Sequence, residues 1–347
     1  MQLSDRQQKI LIYVKQAQPC SSSMITTGIV GQYTERTIQR DIQDLIKIGI
    51  LVATGAGRAI VYNLAVTGQL FVPYEPISYT TLPPEQRLGA SVLYQPELLS
   101  QWSTRLFTPE TYDTFLTQTT NYTNRITKQS TDIRKKELER FVIELSWKSS
   151  KIEGNTYTLL DTERLLLEGI ASSSNTPEET TMILNHKVAF AFVQEYAHTT
   201  DVTLSVAFIE QVHRLLLDGL LTDIGLRKQA VGITGSTYRP LDNQFQIKEA
   251  FDTLVTTINH QATVYDQALT ALLGISYLQP FVDGNKRTAR LVANGILLAG
   301  GAAPLSYRNV DEVLYRASLL VFYEQGSVIP MRDLFIEQYI FAAEHYS

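Results

Sequence analysis

The sequence predicts a mainly α-helical protein: a helical body carrying one short β-hairpin, preceded by a small α+β head. Three observations lead there. After residue 108 apolar residues recur at three- and four-residue spacing, as in Leu138, Phe141, Val142, Leu145 and Ile152. The first 66 residues contain short helical patterns followed by two β-branched runs around Gly55-Ala56-Gly57-Arg58. Five of the 12 prolines (73, 76, 83, 84 and 96) fall between these regions, where they disfavour regular helix and suggest an extended connector. The expected division is a head over 1–66, a proline-rich connector over 67–107 and a helical body over 108–347.

In the head, Ile10, Leu11 and Val14 give residues 3–17 the spacing of a helix, and a second short helix is expected around Met24–Val30. Thr34 is a good N-cap for a third, in which Ile38, Ile42, Leu45 and Ile46 form one apolar stripe. Gly49 ends it, and Ile50–Ala53 and Ala59–Leu64 then form a hairpin with Arg58 at its tip. In the body, Thr108-Pro109 opens the first helix as cap and first-turn proline. The next is expected over 132–153 with Gly154 as its stop, and others over 159–168, 177–197, 205–218, 248–260, 265–278, 285–299, 310–323 and 331–345. Val231 to Phe245, rich in Gly, Thr, Ser and β-branched residues, is expected to be the hairpin of the body.

Composition narrows the function classes. With 44% hydrophobic and 19% charged residues the chain is that of a globular protein. Cys20 is the single cysteine, so no intramolecular disulfide is expected, and no clustered Cys or His suggests zinc. A polar N-terminus without an apolar core, and a longest apolar stretch (Gly295–Leu305) that glycine interrupts, point to the cytoplasm and away from a membrane. The net charge of −5 hides an asymmetry: through Val66 there are seven Lys/Arg against four Asp/Glu, and beyond it 23 against 31. A polyanion is therefore expected at the head.

The third helix of the head leaves Arg36, Thr37, Gln39 and Arg40 opposite its apolar stripe. Guanidinium and amide groups near the start of a recognition helix reach base edges and phosphates. The segment resembles the winged helix-turn-helix of bacterial transcription regulators, which implies DNA as partner through residues 1–66, with Arg36, Thr37, Gln39, Arg40 and Arg58 as contacts. Such regulators commonly pair on DNA, so a homodimer is the implied assembly. Winged helices also serve as dimerisation or protein-docking modules, and that reading stands beside the first.

The most informative run is Leu278-Gln279-Pro280-Phe281-Val282-Asp283-Gly284-Asn285-Lys286-Arg287-Thr288-Ala289-Arg290. A glycine-containing turn opening a helix brings free N–H groups and the positive dipole end to one place, where an anion can bind. Arg287 and Arg290 can add charge-assisted bonds to phosphate oxygens, and Asp283 can hold a Mg2+ that a polyphosphate also coordinates. The alternative is a helix start on which the two arginines merely form ion pairs.

The run resembles the signature of the Fic family, His-Pro-Phe-x-Asp/Glu-Gly-Asn-Gly/Lys-Arg-x-x-Arg, at every position except the first, where Gln279 stands. The resemblance implies an all-helical Fic fold, ATP and Mg2+ as ligands, and transfer of AMP or another phosphate-bearing group to a protein hydroxyl. It gives Asp283 the metal, Gly284, Asn285 and Lys286 the anion nest, and Arg287 and Arg290 the triphosphate. Lysine at 286 also occurs in the toxin branch of the superfamily, some of whose members transfer phosphate. Ser149-Ser150-Lys151-Ile152-Glu153-Gly154 is similar to the family's inhibitory helix, Ser/Thr-x-x-x-Glu-Gly/Asn. That similarity gives Ser149, Glu153 and Gly154 an inhibitory role, with Glu153 pairing Arg290 and obstructing the γ-phosphate. Without it, Glu153 is an ordinary glutamate at a helix end, where its charge opposes the dipole. Val231–Phe245 resembles the flap that aligns a protein target edge-on, through Thr237, Tyr238 and Arg239; a plain surface loop is the other reading.

In the family the leading histidine takes the proton from the attacking hydroxyl. An amide has no basic nitrogen to replace it, so transfer is expected to be impaired by a factor of about 10²–10⁴ while nucleotide binding persists. Three functions follow: a nucleotide-responsive transcription regulator, an adenylyl- or phosphotransferase restrained by Glu153, or a scaffold that has lost both roles.

Overall fold

The computed structural model describes residues 3–29, 33–198 and 203–346, the side chain of Arg58 excepted. The chain is mainly helical, with 16 helices and one two-stranded antiparallel hairpin among the described residues. No described helix is long and apolar enough to cross a membrane.

The head begins with α1 (Asp5–Ala17), whose N-cap Ser4 and Gln7 form a reciprocal capping box. α2 (Ser22–Gly28) starts two residues earlier than the apolar pattern suggests, because the Ser21 hydroxyl accepts from Met24 N; Val30 lies outside the described residues. α3 (Glu35–Lys47) is capped by Thr34 and buries Ile38, Ile42 and Leu45, with Ile46 half-buried. An ion pair between Arg6 and Asp41 ties α1 to α3. Strands β1 (Leu51–Thr54) and β2 (Val61–Leu64) pair antiparallel, Leu51 opposite Leu64, and close the small core under α1.

After α4 (Val66–Gln69) the chain enters the proline-rich stretch, which corrects one expectation. The prolines do not prevent helix: Pro76 opens α5 (Pro76–Thr81) and Pro96 opens α6 (Pro96–Ser100). At the first helical position the missing N–H has no intrahelical partner to lose, and the fixed φ suits the helix. Nor is the segment merely draped. Leu98, Leu99, Trp102, Leu106 and Phe107 are buried, Val328 N donates to Leu70 O at 3.0 Å, and the Ser327 hydroxyl donates to Val72 O at 2.6 Å.

The body continues with α7 (Pro109–Lys128), α8 (Thr131–Ile152), α9 (Leu159–Glu168), α10 (Pro177–Ala197), α11 (Val206–Leu217), α12 (Gln244–Asn259), α13 (Val264–Leu278), α14 (Asn285–Ala299), α15 (Glu312–Gln325) and α16 (Ile329–His345). α13 is buried along nearly its whole length and packs on α14, which α10 and α11 cover. Helices apolar on all sides belong in the centre of a core. The loop between α13 and α14 is thereby fixed from both sides.

Val231–Phe245 forms no hairpin, and the structure corrects the expectation of one there: the single hairpin among the described residues lies in the head. Its backbone pairs instead with the connector, through a parallel bridge between Leu93 and Arg239. Arg239 N donates to Val92 O at 2.7 Å and Tyr94 N to Arg239 O at 3.2 Å. The buried Arg87 Nη1 reaches both Gly235 O (2.9 Å) and Glu324 Oε1 (2.8 Å), and Ser236 donates to the same carboxylate. Tyr238 is 1% exposed, stacks on Tyr277 with ring centroids 4.8 Å apart and donates its hydroxyl to Tyr277 O at 3.0 Å. Tyr238 is therefore a core residue. Tyr238→Ala is expected to cost about 3–5 kcal/mol in urea denaturation, the range for emptying a buried aromatic site. A loss below about 1 kcal/mol would contradict this packing.

Candidate phosphate-binding site

α13 ends at Gln279, which adopts a left-handed conformation at φ 49, ψ 59. A non-glycine residue pays about 1–2 kcal/mol there, and four contacts hold it. Gln279 N donates to Ile275 O, its carbonyl accepts from Arg227 Nε at 2.6 Å, Nε2 donates to Ser276 O at 2.6 Å, and Oε1 accepts from Asn285 Nδ2 at 2.9 Å. The carboxamide is thus committed to joining the end of α13 to the start of α14. Asn285 also ties back to the turn, accepting from Phe281 N at 2.9 Å.

Gly284 is the N-cap of α14 at φ 75. The left-handed φ favours glycine, and a Cβ there would sit 2.4 Å from Leu217 Cδ2, so the leucine would have to shift to admit one. The first helical bond of α14 runs from Thr288 N to Gly284 O. The N–H groups of Asn285, Lys286 and Arg287 precede it and form the positive end of a 15-residue helix.

The cations are arranged around one carboxylate. Arg290 is fully buried and donates to Ser149 through Nε (2.8 Å, hydroxyl) and Nη2 (2.9 Å, carbonyl). The same Nη2 lies 2.8 Å from Glu153 Oε1, and Lys286 Nζ lies 2.8 Å from Glu153 Oε2. Burial alone would push the Glu153 carboxyl up, but Arg290 and Lys286 hold it down at about 2. For Arg290, burial opposes the charge, and Tyr315 and Glu153 more than restore it. Glu153 sits at the C-cap of α8, φ −89, where its charge opposes the helix dipole. The two cations offset that.

Behind the pair, His186 Nδ1 lies 3.1 Å from Met182 O and Nε2 2.8 Å from the Ser149 hydroxyl. Burial, reinforced by Arg287, drops its pKa to about 3, so the ring is neutral and Nδ1 carries the proton. The Ser149 hydroxyl then donates to Nε2, which leaves its lone pairs for Arg290.

Arg287 is buried and its Nη2 bonds Asp283 Oδ2 at 2.8 Å, while among the described residues its Nη1 has no hydrogen-bond partner. Burial lowers its pKa. A buried guanidinium whose Nη1 has no partner among the described residues, beside the first N–H groups of α14, suits a multi-oxygen anion. Asp283 is 64% exposed. Among the described residues no cluster of three or more His, Cys, Asp and Glu can hold a metal, yet Mg2+ commonly takes one or two carboxylates and completes its shell with water and phosphate. Asp283 fits that pattern.

Several expected residues lie apart. Thr237 is half-buried and Arg239 exposed, in the loop pinned by the connector. Arg36, Gln39 and Arg40 are exposed and Thr37 half-exposed on α3; Arg58 lies in the turn between β1 and β2, its side chain outside the described residues. Gly154, at φ 100, follows Glu153 in open space. No local signal points to the His186–Ser149 contact, the Lys286–Glu153 pair or Arg227 under Gln279, since each joins elements far apart in the chain. His213, whose Nε2 lies 3.0 Å from Asp283 O and whose ring stacks on Phe281, supports the same turn from α11.

Residues 203–297 match the Fic/DOC family model. Protein adenylyltransferase fic-1 of Caenorhabditis elegans is 25% identical over 175 residues, 49% of this chain and 34% of that protein; the chain thus spans about a third of the length of the curated relatives it matches. Among solved structures, a Fic domain containing signaling protein from Bacteroides thetaiotaomicron aligns with a TM-score of 0.55 at 20% identity, over 66% of this chain and 94% of that one. The structure of C. elegans Fic-1 (residues 134–508) aligns with a TM-score of 0.56 at 21% identity, over 68% and 70%.

Proposed function

We propose that this chain, whose residues 203–297 match the Fic/DOC family model, is a nucleotide-responsive regulator: ATP with Mg2+ binds at the start of α14, AMP transfer is impaired, and the head binds DNA. The observation that carries this reading is the turn at 279–290. There a buried Arg287, whose Nη1 has no partner among the described residues, and the first N–H groups of α14 stand beside Gln279, whose amide is hydrogen-bonded on both sides. The turn offers groups suited to a triphosphate, and the residue at its head, Gln279, cannot accept a proton near neutral pH. Asp283 would hold Mg2+, which would supply charge neutralisation there; Arg287 and the α14 amides would orient the phosphate oxygens, and Arg290 would become available when Glu153 leaves.

For the head, support comes from exposed Arg36, Gln39 and Arg40 on the face of α3 opposite its buried stripe. Since phosphate contacts dominate such affinity, a mixed-sequence duplex is a sufficient probe. In fluorescence anisotropy its affinity should fall with salt, and replacing both Arg36 and Arg40 by alanine should reduce the log–log salt slope by about 2. Saturating ATP with Mg2+ should shift the affinity of the unmodified chain. Retention of DNA without any salt slope, or identical affinity with and without nucleotide, would end the regulator reading.

A second reading is favoured by the name of the relatives, protein adenylyltransferase: a transferase acting on a protein hydroxyl and restrained by Glu153. The two readings differ in what Gln279 permits.

A further inference from the structure

Lys286 stands where the resembling signature allows either glycine or lysine, and its position in the fold gives it a second task. Its Nζ is 2.8 Å from Glu153 Oε2, while Arg290 Nη2 is 2.8 Å from Oε1. Each carboxylate oxygen thus has its own cation. The two jaws differ. Arg290 has no exposed side-chain surface and is fixed by Ser149 and Tyr315. The Lys286 side chain is 34% exposed, and a four-carbon stem lets an ammonium move as a point charge between acceptors.

We propose that Lys286 is the movable jaw of a two-cation clamp: it holds Glu153 across the helix start in the closed state and transfers to the outermost phosphate of a bound triphosphate in the open one. The inference rests on the reading that a triphosphate binds at the start of α14. It assigns Lys286 opposing effects on affinity, because the contact that closes the site and the contact that fills it come from one ammonium. A glycine at 286 could supply neither. Lys286 is a positioning residue for Glu153 in one state and a ligand-binding residue in the other.

Opposing effects are separable by a double-mutant cycle. Isothermal titration of ATP with Mg2+ would be carried out on the full chain, on Lys286→Ala, on Glu153→Gly and on the double variant, each checked for an unchanged circular dichroism spectrum. With Glu153 absent, Lys286→Ala loses only the phosphate contact, and affinity should fall about tenfold. With Glu153 present, the same substitution also loosens the clamp, so the loss should be smaller by about fivefold or more, or become a gain. Lys286→Arg, which keeps the charge, should restore both behaviours in part. Equal losses in the two backgrounds would overturn the clamp while leaving the triphosphate site intact. Absence of binding in all four proteins would overturn the triphosphate reading itself, and the clamp with it.

Discussion

Glu153→Gly is expected to raise the affinity of the chain for ATP with Mg2+ by about 10- to 100-fold. The closed arrangement sets the scale: the Glu153 carboxylate occupies the guanidinium of Arg290 and the ammonium of Lys286 with contacts of 2.8 Å each. A bound triphosphate would compete for the same donors, so its binding would be limited by the fraction of molecules in which the carboxylate has left. If that open fraction is about 1–10%, deleting the carboxylate removes a penalty of about 10- to 100-fold. The substitution should not unfold the chain. Glu153 lies at a helix C-cap beside Gly154, and Arg290 keeps Ser149 and Tyr315 as partners when the glutamate is gone. Titration calorimetry reads the effect, and an unchanged affinity would mean that Glu153 does not stand in the nucleotide's way.

The second large effect concerns chemistry. Adding Gln279→His to Glu153→Gly is expected to raise transfer of label from α-labelled ATP to protein by about 10²–10⁴, the usual contribution of a positioned base. Gln279 offers Oε1 to Asn285 and Nε2–H to Ser276 O, and neither atom can take a proton near neutral pH. Histidine in the same left-handed position would sit at the edge of the same turn, with Asn285 still held by Phe281. Transfer by the Glu153→Gly chain as fast as by the double variant would favour the transferase reading, with a base other than residue 279.

The residues that were legible in advance are those whose signals are local. Helices α9, α10 and α14 begin and end where caps, first-turn prolines and glycines place them, and the turn at 279–290 opens α14 at Gly284, as its glycine suggests. Where the sequence misled, the deciding partner was distant. Val231–Phe245 has the composition of a hairpin, yet Arg239 pairs with Val92 and Tyr94 and Tyr238 turns into the core against Tyr277. The connector prolines read as helix-breakers because their position relative to a helix start is invisible until the helix exists. Ser149 was singled out from its motif, but its buried partner His186 comes from another helix, as does the lysine that shares Glu153 with Arg290.

A triphosphate should reach the start of α14 once Glu153 is removed, and a crystal structure of the Glu153→Gly chain grown with ATP and Mg2+ tests this directly. The phosphates should lie on the N–H groups of residues 285–287, with Arg287 and Arg290 on their oxygens and a metal between them and Asp283. A helix start without nucleotide at saturating ATP, or a nucleotide bound elsewhere with Arg287 and Arg290 untouched, would contradict it.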